Sequence, residues 1–202
     1  MFWYGLLLAF AGKNSTTEAA RLLVVDPLNP QSQAVPALHH FFQGRFSLAV
    51  DGCREWYERD QDNPMAALVL GDMLVRNGRI DEADAIFEQL ALRLPQTLFG
   101  QLALFLRHGL RGNKAKALEA VGPTLTETAR LDFQHSWDMA TGYALIDERD
   151  QALEWLKNAT HRGLINYPFL SQYDPLLKNI RQEARFTTLM EEVKTRWEQF
   201  EV

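Results

Sequence analysis

The sequence predicts an all-α fold, with helical hairpins stacked into a superhelix and closed at the C-terminal end by capping helices. Three observations predict it. Residues 64–95 read as a helix, a tight turn at Asn77–Gly78 and a second helix that stops at Pro95. Gly44, Gly78 and Gly112 are spaced evenly by 34 residues, and Ala49, Ala83 and Ala117 keep the same interval. After Gly163 this pattern gives way to a new helix start at Asp174–Pro175 and a final amphipathic run.

In the 64–95 stretch, Ala67, Leu70, Gly71 and Leu74 recur at three- and four-residue spacing, so they share one helix face. Gly78 stands where the chain needs a left-handed residue to leave the helix. The second helix opens with Asp81 and Glu82, which suit the positive end of a helix dipole. Its inner face is Ile80, Ala83, Phe87 and Leu90, and Pro95 ends it. Small Gly71 and Ala83 let the helices approach, while Leu74 and Phe87 fill the space around that contact.

In chain order, the expected hairpins cover about 1–26, 31–61, 64–95, 97–122 and 133–160, so that 1–163 forms the stack and 164–202 the cap. Met1 to Ala11 is apolar, but it has no basic leader and is too short to span a bilayer, so it reads as the first helix. Trp3, Leu6, Leu7 and Phe10 form its inner face. Asn14 takes the place of the turn glycine, and Ser15 with Glu18 forms a capping box for a second helix ending near Val25. The abrupt apolar start suggests a piece cut from a longer protein, with further domains upstream of Met1. In the second hairpin Ala37 and His40 point inward, Gly44 turns the chain, and Ala49, Cys53 and Trp56 face the core. Asn63–Pro64 is a helix cap followed by proline at the first helical position. In the fourth hairpin Phe105 stands where a small residue is usual, which predicts a looser crossing, and Gly122–Pro123 stops its second helix early. The fifth carries Ala140, Tyr143, Ala152, Leu156 and Ala159, with Asp147 at the glycine's position. A short helix over 176–180 and a long one over about 183–200 complete the chain. Phe186, Leu189, Met190, Val193 and Trp197 face inward on the long helix, and its polar back shields the last hairpin.

Gly71, Gly78, Ala83, Phe87 and Pro95 fall on the marker positions of a 34-residue helical repeat, and the chain resembles the tetratricopeptide family over nearly its whole length. Asp174–Pro175–Leu176, Ile180–Arg181, Ala184–Arg185–Phe186 and Leu189 are similar to the C-terminal end of tetratricopeptide arrays in bacterial multidomain signalling proteins. In those proteins a Ser/Thr kinase or a winged-helix DNA-binding domain often precedes the array. No kinase or winged-helix motif occurs here, so those activities do not carry over. The resemblance implies a concave groove lined by the first helices. Carried over position by position, its lining is Leu38, Phe42, Leu68, Asp72, Arg76, Leu102, Leu106, Trp137, Thr141 and Leu145. The lysines and asparagines of the family's carboxylate clamp are absent from it. The competing reading is that these mostly apolar residues pack against one another in a tight superhelix.

Composition narrows the function. The chain has 202 residues, 47% hydrophobic and 23% charged, an ordinary globular balance. A net charge of −5 leaves no footprint for nucleic acid or anionic lipid. The single cysteine, Cys53, excludes an internal disulfide and reads as a small buried hydrophobe. His39 and His40 are adjacent and face different ways on a helix, which is wrong for a shared metal. His40 and His108 fall at a repeat position that is normally packed, and the two glycosylation-like triplets at Asn14 and Asn158 suit helix ends. No nucleophile–base pair, phosphate loop or carboxylate pair stands out, so no catalytic residue, cofactor or metal is expected. The expected function is a cytoplasmic, non-catalytic scaffold that takes a protein or peptide partner in its groove. The second expectation is a regulatory or oligomerisation arm of a larger signalling protein.

Overall fold

The computed structural model describes residues 8–13, 16–26 and 29–200. It is all-α, with no strand among the described residues. After a helical stretch at residues 8–10, the helices are α1 (Thr16–Val25), α2 (Pro30–Phe42), α3 (Phe46–Arg59), α4 (Pro64–Arg76), α5 (Ile80–Arg93) and α6 (Leu98–Leu110). They continue with α7 (Lys114–Glu119), α8 (Pro123–Ala129), α9 (Phe133–Leu145), α10 (Arg149–His161) and α11 (Ala184–Gln199). A π turn at Phe169–Tyr173 and a 3-10 turn at Pro175–Leu177 lie between α10 and α11. Successive helices pack as adjacent pairs. No helix among the described residues is long and apolar enough to cross a membrane.

One turn geometry recurs through the chain. Gly78 has φ +76°; its N–H donates to Val75 O at 3.0 Å and the Arg79 N–H donates to Leu74 O at 2.9 Å. This is the Schellman closure, in which a left-handed residue lets two helix-end carbonyls be satisfied. Gly44 and Gly112 repeat it at φ +73° and +68°, and Asp147 does so without glycine at φ 56°. In the first hairpin the same closure falls on Gly12, at φ +68°. Asn14 and Ser15, like Trp3, Leu6 and Leu7, lie outside the described residues.

Burial separates two layers. On α4 and α9 ten of thirteen residues are buried, against four on α3 and six on α10, so the first helices form the inside. The contact expected in the 64–95 hairpin is present: a Cβ on Gly71 would overlap the Phe87 ring, and Ala83 is fully buried. The crossing within the fourth hairpin, α6 on the short α7, is the least extensive of the second to fifth hairpins, as expected. Phe105 is fully buried, and its ring lies where a Cβ of Gly142 on α9 would stand. The small residue that α6 lacks is supplied by its neighbour, and Tyr143 packs edge-on against the same ring at 5.0 Å. Gly122–Pro123 ends α7 early, as expected, but Pro123 then opens a short helix, α8, that spacing alone does not reveal. The short helix expected over 176–180 is instead the 3-10 turn Pro175–Leu177.

The ends of the path meet. Phe10 stacks against Phe42 on α2 and edge-on against Phe133 at the start of α9, with ring centroids 4.9 and 4.8 Å apart. The Asn166 Nδ2 group donates to Ala9 O at 3.3 Å, and the Lys13 ammonium lies 4.6 Å from the Trp197 ring centre. The first hairpin therefore touches the segment after α10.

Candidate functional site

The first helices converge on Arg76, at the end of α4. Its guanidinium donates to Asp174 through Nε (3.0 Å to Oδ1) and Nη2 (3.1 Å to Oδ2), a two-pronged fit of fork to carboxylate. Its Nη1 donates to the Asp72 carboxylate one turn back and to Asp72 O at 3.4 Å. The faces of Trp137 and Phe41 cover the cation at 4.5 and 5.4 Å. Trp137 Nε1–H also donates to Asp174 Oδ2 at 3.0 Å, and the Leu176 N–H donates to Oδ1 at 3.1 Å. The side chains of Arg76 and Asp174 are 1% and 0% exposed. Asp72 and Arg76, expected in the groove lining, thus form an interior ion triad with Asp174.

Two carboxylates, Asp72 and Asp174, contact this guanidinium, and a third, Asp138, lies near Asp72. Burial, with Asp138 and Asp174 nearby, pushes the Asp72 carboxyl up to about 7 despite the opposing pull of Arg76. Burial disfavours the Arg76 cation too, but Asp174 and Asp72 outweigh it and hold its pKa above the ordinary value. His135 Nδ1–H donates to Asp138 Oδ2 at 3.3 Å. Burial lowers the His135 pKa, but this hydrogen bond and the charges of Asp138 and Asp132 raise it further, so the net shift is upward.

Asp174 lies on residues 164–177, which leave α10 through a left-handed Gly163 and turn one face toward the inner helices, with Gln172, Tyr173 and Pro175 exposed on the other. Leu164, Phe169, Leu170 and Leu177 are fully buried there. The Phe169 ring packs against Phe41, Phe42 and Trp137 at 5.0 to 5.7 Å. Arg181 Nη2 donates to Asp174 O at 2.7 Å and secures the segment's backbone from behind.

Of the ten residues expected to line an open groove, nine are buried. These are Leu38, Phe42, Leu68, Asp72, Arg76, Leu102, Leu106, Trp137 and Thr141; Leu145 is half-buried. Leu38, Phe42, Leu68, Asp72 and Trp137 do meet, around a cavity of about 20 Å³ that Gln134 and Asp138 also line. That is room for one water and no side chain. Leu102, Leu106 and Thr141 sit in the packed interior beyond it, and Leu145 borders a shallow surface hollow with Pro175 and Leu176. The correction to the groove expectation is thus one of occupancy. The residues face inward, but the chain's own 164–177 segment and the closing first hairpin fill the space. Among the described residues no group of three or more His, Cys, Asp or Glu is arranged to hold a metal ion. Cys53 is fully buried, and burial with the nearby Asp72 charge pushes its thiol up to about 12.

The sequence reading missed Asp174 as the partner of Arg76. It had assigned Asp174 only as a helix cap, and Asp174 does cap Leu176 as well. It also missed Asp138 and Phe169. No family model matches the sequence, and no curated protein matches it significantly.

Proposed function

We propose that this chain is a non-catalytic protein-interaction module, a tetratricopeptide-like stack that carries its own groove occupant and meets partners on its outer surface and ends. That makes it a regulatory or assembly arm rather than a peptide receptor. The observation that carries this reading is the Arg76–Asp174 fork, which places a carboxylate of the chain itself where a bound peptide was expected. Opening the groove would expose Phe169, Leu170 and Leu177, at about 1.5–3 kcal/mol each. It would also break a buried ion pair, at about 3–5 kcal/mol. Together these costs match or exceed the free energy of an entire micromolar complex, about 8 kcal/mol. The second helices supply an outer face on which Leu48 and Leu92 stand exposed.

The test is amide hydrogen exchange on the complex with a partner recovered by cross-linking. New protection should appear on α3, α5 and α7, while exchange over residues 166–177 becomes no faster than in the free chain. Faster exchange over 166–177 on binding would restore the groove-receptor reading and end this one.

A further inference from the structure

A second opening lies away from the buried triad. It is a cleft of about 400 Å³ between the Gly12 turn, the Gly44 turn and residues 166–173. Ala9, Phe42 and Pro168 give it apolar walls, and Lys13, His39, Gln43, Arg45, Asn166 and Tyr173 supply its polar groups. None of its lining residues among those described is acidic, in a chain whose net charge is −5.

The two cations hold equivalent places. Lys13 and Arg45 each follow the left-handed glycine, and each donates its N–H to the carbonyl five residues back, Leu8 O at 2.9 Å and His40 O at 2.9 Å. Arg79 holds the same place in the next hairpin, and there Glu82, three residues on, neutralises it through Nη2–Oε2 at 2.7 Å. Three residues after Arg45 stands Leu48, and three after Lys13 stands Thr16. The acid that closes this ion pair in the 64–95 hairpin is missing from both turns that border the cleft. Among the described residues neither Lys13 nor Arg45 has a carboxylate partner. Lys13 is held in position by the Trp197 ring. The geometry is held tightly: a Cβ on Gly12 would strike Asn166, and one on Gly44 would crowd Tyr173.

We propose that this cleft binds an acidic segment of a protein partner. A carboxylate sits between Lys13 and Arg45, and an adjoining apolar side chain lies against Phe42 and Tyr173. The volume lies within the range of built ligand sites, about 300–1,000 Å³. Tyr173, 42% exposed, offers the kind of aromatic surface that anchors peptide side chains. The positive field is already sensed by His39. Burial first, then the charges of His40 and Arg45, hold its imidazole below the ordinary value. A bound carboxylate opposes those charges and raises it. This proposal rests on the interaction-module reading and names the partner's chemistry.

The test uses the full chain with a short acidic peptide, acetyl-Asp-Leu-Asp-Leu-amide, its Asn-Leu-Asn-Leu counterpart and inorganic phosphate. Binding is followed by the NMR shifts and titration of the His39 ring. The acidic peptide should bind more tightly than about 1 mM, raise the His39 titration midpoint and weaken as salt is added. Arg45→Glu, at an exposed side chain, leaves the fold intact, and it should reduce the affinity about tenfold or more by placing like charges opposite each other. Lys13→Gln should weaken binding in the same direction. No His39 response to the acidic peptide would overturn the proposal. So would equal binding of the Asn peptide, of phosphate, or of the acidic peptide to Arg45→Glu. The outer-face reading has its own readout, the protection of 166–177 in the partner complex, so either can fail while the other stands.

Discussion

Asp174→Ala should cost about 3–5 kcal/mol of stability, because it removes one partner of a buried ion pair and strands the other. The wild-type carboxylate accepts four hydrogen bonds: two from Arg76, one from Trp137 Nε1 and one from the Leu176 N–H. After truncation the guanidinium keeps only Asp72, and the two other donors lose their acceptor. Each orphaned donor would add about 1–3 kcal/mol if water could not reach it, but the space left by the carboxylate admits water and reduces this. Asp72 also compensates. The Asp174 charge is one of the causes holding its carboxyl up, so Asp72 ionises more readily once that charge is gone and neutralises more of Arg76. The assay is urea unfolding followed by far-UV circular dichroism and tryptophan fluorescence. The denaturant slope should be unchanged, so that the midpoint reports stability. Asp62→Ala is the control, since that side chain is fully exposed and sits 3.5 Å from Arg93; it should stay within about 0.5 kcal/mol of wild type. Arg76→Met combined with Asp174→Ala should cost less than the two single changes added together. Equal midpoints for Asp174→Ala and Asp62→Ala would refute the claim that this fork holds the segment in place.

Gly71→Ala should destabilise by about 1–3 kcal/mol through overlap with the Phe87 ring, and adding Phe87→Leu should recover part of that in the same urea assay. Asp72, whose carboxyl is pushed up to about 7 in the fold, binds its proton more tightly folded than unfolded. Its contribution is therefore fully present below about pH 4, is lost as the pH rises from there to about 7, and is flat above. The stability difference between wild type and Asp72→Asn should follow that curve, and a difference independent of pH would contradict it. Cys53, fully buried with its thiol pushed up to about 12, should react with a disulfide reagent at pH 8 only as fast as the chain unfolds. Labelling that outpaces unfolding would show a locally open α3.

What the sequence made legible was local. A 34-residue spacing of Gly44, Gly78 and Gly112 is a repeated chemical need, a left-handed residue closing a helix, and each of the three has that conformation. The inner faces of the 64–95 hairpin and of α11 follow from helical periodicity, because burial on one face writes itself into every third or fourth residue. The repeat register set by Trp3 points to Asn14, a residue that tolerates the left-handed region, so Gly12, two residues off that register, was overlooked. The Phe105–Gly142 contact was illegible for another reason. The small residue that admits the ring lies on a different helix, and no period links the two positions. The Arg76–Asp174 bond is the extreme case, joining residues 98 apart through side chains read separately, Arg76 as groove lining and Asp174 at a helix start.

That bond also bears on why the lining of the inside reads as it does. An open groove that waits for a peptide must stay soluble when empty, so an almost wholly apolar lining argues against one. Leu38, Phe42, Leu68, Leu102 and Leu106 instead have the composition of a core, and the chain supplies the missing half of that core from Leu164, Phe169, Leu170 and Leu177. Asp72 and Arg76 are the exceptions in that lining, and a lone i, i+4 pair left in an apolar interior would be a poor bargain for stability. Asp174 changes the sum. It satisfies two remaining prongs of the guanidinium, and Trp137 and Phe41 cover the cation. A geometry this specific admits one register of the 164–177 segment, because a shift by one residue would place Tyr173 or Pro175 opposite a buried cation. Polar Asp72 and Arg76 thus set the register of the segment that packs against the inner helices.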